Sequence, residues 1–381
     1  MKYFDYAATC PLDEEAANVY VKTAIDYFGN SQSLHDIGDE SKSLLENCRT
    51  QFGQMLGVES DGVYFTSGGS ESNFLAIEAL LTARKKSGNH IITSIAEHSS
   101  IHSSIDRLIN KGYNVTYLPY DTHGLIDVNT FKESIKEDTV LAVIQHGNSE
   151  IGTVQPLMEI GQICQSQQIL LHSDCVQTFG KIDLKPITQY IDSLSISGHK
   201  FYGPKGTGVG YIRPQLSWSP PFPKTTHEGG FRPGTVNVPG ITAMTIAAKK
   251  INDQLDKNKA IFANQRILLI DSLKSIHDKL HIHGSTDHLQ LSNIIGMSID
   301  GIEGQWVLLE CNRNGFAIST GSACHSGMLS PASSMTALGY SGKKAKEFFR
   351  ISLGRDTSNK DIINLAAIIV AIVAEYNLNN H

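Results

Sequence analysis

A lysine in the turn just past a strand end, among small and polar neighbours, is an unusual setting for an ammonium group. Ser195-Ile196-Ser197-Gly198-His199-Lys200-Phe201-Tyr202-Gly203 supplies one. An amine there, with a depressed pKa, can condense with a carbonyl compound; the alternative is a solvated surface lysine. Leu171-His172-Ser173-Asp174-Cys175-Val176-Gln177 ends an apolar run on a carboxylate. Burying that group is costly unless it is paired, and a protonated pyridine nitrogen would pair it, although Asp174 fits a helix N-cap equally well. Thr66-Ser67-Gly68-Gly69-Ser70-Glu71-Ser72-Asn73 sets glycines between a strand and a helical run. Free N–H groups and a positive helix end then meet at one spot, which suits phosphate. An ordinary glycine turn with a serine cap would read the same way. Ser319-Thr320-Gly321-Ser322-Ala323-Cys324-His325-Ser326-Gly327 surrounds one thiol with small residues. Such a segment packs weakly, and His325 could help the thiol ionise; a plain Gly/Ser loop with an incidental cysteine is the alternative. His98 and His102 stand four apart, a metal-binding spacing on a helix, but the H-E-x-x-H arrangement is lacking. Arg350 and Arg355 flank a strand-like run, where either could clamp a carboxylate or both could be surface charges.

The elements that must position these groups follow from hydrophobic pattern. Strands are predicted over 63–66, 90–95, 114–120, 140–146, 169–174, 193–197 and 208–212, with helical stretches such as SSIHSSIDRLINKG and PLMEIGQICQSQQ between most of them. Strands alternating with helical crossovers give an α/β fold, with a mostly parallel sheet covered by helices on both faces. Ligands bind such sheets beyond the carboxyl ends of the strands, and the motifs above fall there. From near Asn252 the pattern changes to a long helical run (DQLDKNKAIFANQRILLIDSLKSI), strand-like NIIGMSI and RISLG, and a C-terminal helix. The expected division is a large domain, 13–252, and a smaller α+β domain formed by 1–12 and 253–381 that carries the Cys324 loop.

The 381 residues suffice for a large core, and the net charge of -6 argues against a nucleic-acid surface. MKYFDYAATC has no apolar run, so no signal peptide is expected, and Ile362–Ala374 is too short and too interrupted by Asn364 to span a bilayer. Six scattered cysteines form no C-x-x-C pair, so neither a zinc site nor a disulfide framework is expected, and the reducing cytoplasm is the expected compartment.

Together, YFDYAATCPLDEEA, FGNSQSLHDIG, TSGGSESN, EHSSI, HGNSEIG, HSDCVQTFGK, SGHKFYGPKG, FRPGTVNVPG, STGSACHSG and FRISLGRDT resemble, in this order, the cysteine desulfurases of the NifS/IscS type. These lie within the class V aminotransferase group of fold-type I pyridoxal-phosphate (PLP) enzymes. The resemblance implies PLP as cofactor, L-cysteine as substrate, a homodimer, and a sulfur-acceptor protein as partner (an iron–sulfur scaffold, a tRNA-thiolation protein or a dedicated client). It implies no direct nucleic-acid or membrane partner. Lys200 matches the Schiff-base lysine, and Gly69, Ser70, Ser197 and His199 the phosphate cradle. Asp174 matches the pyridinium partner, Gln177 and Asn148 the groups near the ring hydroxyl, and His98 the ring-stacking, proton-handling histidine. Arg350 with Asn148 matches the substrate-carboxylate clamp, and Thr235 a residue reaching the other subunit's phosphate. Cys324 matches the persulfide-forming cysteine, and no intrinsic metal is implied beyond a transient iron–sulfur intermediate at Cys324. Departures are Ser31-Gln32 in the early loop, Gly69-Ser70 where Ala-Thr is usual, Cys10 for Thr, and Cys175 after the ring-pairing aspartate. The rival readings are a selenocysteine lyase or other class V PLP enzyme, and a non-catalytic sulfur-relay scaffold.

Overall fold

The computed structural model describes residues 1–285, 289–321 and 331–379. Its centre is a seven-stranded sheet of β2 (Val63–Thr66), β3 (His90–Ser94), β4 (Asn114–Leu118), β5 (Thr139–Val143), β6 (Leu170–Asp174), β7 (Ser193–Ser197) and β8 (Gly208–Ile212), in spatial order β2-β8-β7-β6-β5-β3-β4. Every residue of β3, β5, β6, β7 and β8 is buried, because helices cover both faces. The parallel pattern holds except at β8, which runs antiparallel to both β2 and β7. No α-helical crossover separates β7 from β8; residues 198–207 between them are tight turns, so the chain can only reverse.

Before the sheet come β1 (Lys2–Tyr3), α1 (Glu14–Asp26) and α2 (Asp36–Leu56). Asp13 caps α1, accepting from the N–H groups of Glu15 and Ala16, and its carboxylate also meets Lys250 and Arg355. Helices α3 (Gly69–Thr82) and α4 (Ser99–Asn110) follow β2 and β3 directly, so their N-termini lie at the carboxyl end of the sheet.

The long helical run that begins at Asp253 is the helix Leu255–Ser272, followed by a single tight turn over Lys274–Ile276, and a separate helix, Val238–Asp253, precedes it across Gln254. Beyond it β9 (Leu280–His283), β10 (Ile294–Ile299) and β12 (Phe348–Ser352) form an antiparallel sheet, while β11 (Phe316–Ala317) pairs in parallel with β1. The final helix, Asn359–Asn379, buries Ile362, Leu365, Ala366, Ile369, Ile372 and Val373, the one-faced spacing of a helix against a core. They pack with Phe4, Ile295, Phe349 and Ile351. Among the described residues no helix is long and apolar enough to cross a membrane.

Candidate active site

A cavity of about 250 Å³ opens at the carboxyl ends of β6 and β7. Of the residues singled out from sequence, Gly69, Ser70, His98, Asp174, Gln177, Ser197, His199, Lys200 and Arg350 line it, joined by Ala7 and Ala8 from the N-terminal segment. Asn148 is buried beside the lining residues Gly147 and Ser149, with its Oδ1 accepting from the N–H groups of Glu150 and Ile151. Thr235 is exposed and does not line the cavity. Cys324 and His325 lie outside the described residues.

One end of the cavity suits an anion. Gly68 precedes α3 with φ +153° and ψ −178°, a conformation essentially confined to glycine, and it brings no capping side chain. The first N–H groups of α3 therefore have neither an intrahelical partner nor a side-chain cap. Gly69 is closely matched to its surroundings, since a Cβ there would stand 2.6 Å from Cγ2 of Val176. The side chains of Ser197 and His199 stand in the same wall. His199 shares a hydrogen bond between its Nδ1 and Oγ1 of Thr9, and burial, reinforced by the Lys200 charge, pushes its pKa down to about 4. The unsatisfied helix end, with hydroxyl and imidazole groups beside it, fits a phosphate.

The floor holds Lys200. Its Nζ donates to the carbonyls of Ala7 at 2.6 Å and Ala8 at 2.9 Å. Burial, reinforced by the Arg350 charge, lowers its pKa to about 8, so a substantial fraction of free amine exists at mildly alkaline pH. A second half-buried lysine, Lys181, escaped the sequence reading. It donates to the carbonyl and the Oε1 of Gln177, and burial lowers its pKa to about 8 as well. Gln177 in turn donates to the carbonyl of Ala7. Lys181 thus fixes Gln177, which holds the N-terminal segment that receives Lys200.

The β6 wall is a closed hydrogen-bond network. Asp174 accepts from Val176 N at 2.9 Å and from Asn73 Nδ2 at 2.7 Å. Asn73 meets His172, and His172 meets Ser193 across the β6–β7 register. Burial drives the pKa of His172 down to about 3, so its ring is neutral. Glu97, also buried, accepts from Ser94 and from the N–H of Gln145, and burial raises its pKa to about 8. These bonds brace the turn that presents His98. His98 caps α4 rather than offering a metal face, and Nε2 of His102 is bound to the carbonyl of Ile95. Among the described residues no group of three or more His, Cys, Asp or Glu could hold a metal. Cys175 is fully buried, its thiol pushed up to about 12 by burial, as fits a packing residue.

The opposite wall carries Arg350, 3% exposed, bonded to the carbonyl of Ser149 at 2.7 Å and to Asp5 at 2.5 Å. Its buried Nε has no partner among the described residues. An orphaned guanidinium N–H beside a cavity is the feature expected of a group that awaits an anionic ligand. Arg355 lies elsewhere, paired with Asp13 and stacked over Tyr202 at 4.4 Å. Helix-end donors, an amine of lowered pKa, a buried carboxylate and an arginine with a spare donor together fit a phosphate-bearing pyridine aldehyde and an amino-acid carboxylate.

Comparison with known proteins gives a consistent result. The Aminotransferase class-V family profile matches residues 2–365. A protein described as putative cysteine desulfurase NifS from Bacillus subtilis (strain 168) is 44% identical over 366 residues, which is 96% of this chain and 93% of that protein. Cysteine desulfurase IscS of Methanosarcina thermophila is 36% identical over 371 residues, 97% of this chain and 91% of that one. Among solved structures, a NifS-like protein superposes with a TM-score of 0.89 at 28% identity, covering 98% of this chain and 99% of the other. A structure described as SspA in complex with cysteine gives 0.79 at 31% identity, with coverages of 93% and 99%.

Proposed function

Because the chain belongs to the class-V aminotransferase family, among the NifS and IscS cysteine desulfurases, we propose that it is itself a PLP-dependent cysteine desulfurase that converts L-cysteine to L-alanine. The observation that carries this reading is that half-buried Lys200 and buried Asp174 line one cavity whose far wall holds an Arg350 Nε without a partner among the described residues.

When bound, PLP supplies an electron sink for charge left at the substrate α-carbon. The first turn of α3, Ser197 and His199 would hold its phosphate, Asp174 its ring nitrogen, and Gln177 and Asn148 the side of its ring hydroxyl. Lys200 Nζ would anchor the group, and as a free amine it would move the α-proton. His98, at the cavity mouth, would stack on the ring and carry protons to and from solvent. Arg350 would bind the substrate carboxylate through Nε. Cys324 would take the sulfur: its thiolate forms an S–S bond as the substrate C–S bond breaks, and protonation of the remaining carbon skeleton releases alanine. The persulfide then passes to an acceptor protein, for iron–sulfur or another sulfur-containing cofactor. Cys324 would be the only point of transient metal contact.

A homodimer is part of the same reading. Thr235 is exposed, as a residue serving a partner's phosphate would have to be. Its chain neighbour Val236 shares an open groove with Leu34. Ile25, Phe28 and Leu34 of the same N-terminal stretch are 67%, 70% and 101% exposed, apolar surface that a second subunit would cover. The proposed division into 13–252, and 1–12 with 253–381, gains support from the β1–β11 pairing. The five buried free cysteines among the described residues suit a cytoplasmic setting.

The test is cysteine-dependent sulfide and alanine formation by the PLP-loaded dimer, with Cys324→Ser alongside. The variant should still take up PLP and respond spectrally to cysteine, yet release no sulfide to a thiol reductant. Full sulfide production by Cys324→Ser would refute the mechanism, and exclusive turnover of selenocysteine would reassign the substrate.

A further inference from the structure

Asn73 lies in the first turns of α3, does not line the cavity and has no part in the chemistry assigned above. Its amide nevertheless connects two residues that do line it, Asp174 and His98. Nδ2 donates to Asp174 Oδ2 at 2.7 Å and to Ser100 Oγ at 3.0 Å. Oδ1 meets His172 Nε2 at 3.0 Å, and Ser100 Oγ meets His98 Nδ1 at 2.8 Å.

The direction of every bond in this chain follows from chemistry. A carboxylate can only accept, so the nitrogen of the Asn73 amide must face Asp174 and its oxygen must face His172. Neutral His172 therefore carries its proton on Nε2, and Nδ1 accepts from Ser193 Oγ at 2.6 Å. The second Nδ2 proton of Asn73 occupies Ser100 Oγ as an acceptor, which turns the Ser100 hydroxyl proton toward His98. Backbone N–H of Ser100 also points at His98 Nδ1, at 3.2 Å, and can only donate. Nδ1 of His98 is therefore an acceptor, and the ring's proton sits on Nε2.

We propose that Asn73 is a positioning residue that sets proton placement at two points of the site at once: it holds Asp174 as an acceptor and, through Ser100, holds His98 as the neutral Nε2–H tautomer. This deepens the desulfurase reading and rests on it for its consequence. A ring kept neutral can stack on a cofactor and take up or release a proton during turnover; an imidazolium pinned at Nδ1 could not accept one. Protonating Nδ1 would set three protons in conflict, its own against the Ser100 N–H and O–H. The charged or titratable groups that bear on His98 from its neighbours are Asp174, Lys200, His102 and Glu150. Partial shielding of the ring by the site outweighs the opposing Asp174 charge, and its pKa is lowered.

The test uses the full-length protein without added cofactor, with histidine side chains labelled for nitrogen NMR, so it needs no catalytic activity. Wild type should show His98 as the Nε2–H tautomer. Asn73→Asp keeps the shape but replaces the donor by an acceptor. Ser100 then turns its proton to the new carboxylate, Nδ1 of His98 loses a donor, and the His98 pKa should rise by about one unit, a tenfold change in protonation. Ser100→Ala should raise it in the same direction while leaving Asp174 and Asn73 in place, and it serves if Asn73→Asp does not fold. Asn73→Ala should give a smaller rise. An Nδ1–H tautomer in wild type, or an unchanged His98 titration in both folded Asn73→Asp and Ser100→Ala, overturns the proposal. Separately, PLP uptake and cysteine turnover by wild type judge the functional reading; wild type that turns over cysteine while the His98 titration ignores both variants leaves that reading intact and removes only the role of Asn73.

Discussion

The two long walls of the cavity are built by opposite rules. On the β6 side, Asp174, Asn73, His172, Ser193, Ser100 and His98 form one network. It is tied to strands buried on both faces and to the starts of two helices. On the β12 side, among the described residues, the Arg350 side chain bonds the Ser149 carbonyl and Asp5 and leaves its Nε without a partner. A buried network with its donors and acceptors matched is rigid, because any movement strands a polar group at a cost of about 1–3 kcal/mol. A buried donor left over is a standing cost that a ligand relieves on arrival. The first wall is suited to a group that stays, and the second to one that comes and goes.

Lys200 lies between the walls, and changing it should have the largest effect. Lys200→Ala removes both the anchor and the proton carrier. Alanine formation from cysteine should fall by about 10³-fold or more, the scale of losing a positioned general base, as read by product analysis on PLP-supplemented protein. Residual activity within tenfold of wild type would mean that another amine, with Lys181 the nearest candidate, does the chemistry.

Arg350→Ala should separate the walls. It removes the spare donor and leaves Asp5 without its guanidinium partner. The KM for cysteine should rise about 10- to 100-fold, the scale of one charge-assisted hydrogen bond, while PLP affinity changes little. An equal loss of PLP affinity would show that the two walls do not divide the work.

Gly69→Ala probes the standing wall at its tightest point. The new methyl would meet Cγ2 of Val176 at 2.6 Å, so one of them must move. PLP affinity should weaken several-fold, and Val176→Ala in the same chain should restore it, a coupling readable in a double-mutant cycle. Val176 is the contact that any side chain at position 69 would have to displace. Failure of the second change to rescue the first would place the constraint in the backbone instead.

Much of this division was legible in the sequence, for a physical reason. Strands buried on both faces need near-continuous apolar runs, so VLAVI and ILL marked β5 and β6, and a polar residue at the end of such a run, as Asp174 is, invites a functional reading. What stayed hidden were contacts between common residue types far apart in the chain. Nothing local in Asn73 says that it meets Asp174, 101 positions on, or that Lys200 meets the carbonyls of Ala7 and Ala8. Two signals were present all the same. His172 stands two residues before Asp174, on the same face of a strand, and asparagine is a poor helix residue unless its side chain has a task. The antiparallel course of β8 was also readable, from the lack of a helical segment before it.

The smallest effect expected tests whether the braced wall carries a cost of its own. Glu97 is buried and its pKa is raised to about 8 from the ordinary 4.5. A raised carboxyl binds its proton more tightly in the folded state than in the unfolded one. Folding stability is therefore largest below pH 4.5 with respect to this group and is lost as pH rises toward 8. Glu97→Gln keeps the shape and an oxygen acceptor for Ser94 and for the N–H of Gln145, but never ionises. Relative to wild type its Tm should be nearly equal at about pH 5 and a few degrees higher at about pH 8, the difference growing steadily between. A flat difference across that range would mean that Glu97 ionises without penalty and that the wall is wetter than its burial implies. A growing difference would show that the rigid wall holds its histidine in place partly at the expense of stability at working pH, a cost the Arg350 wall has in another form.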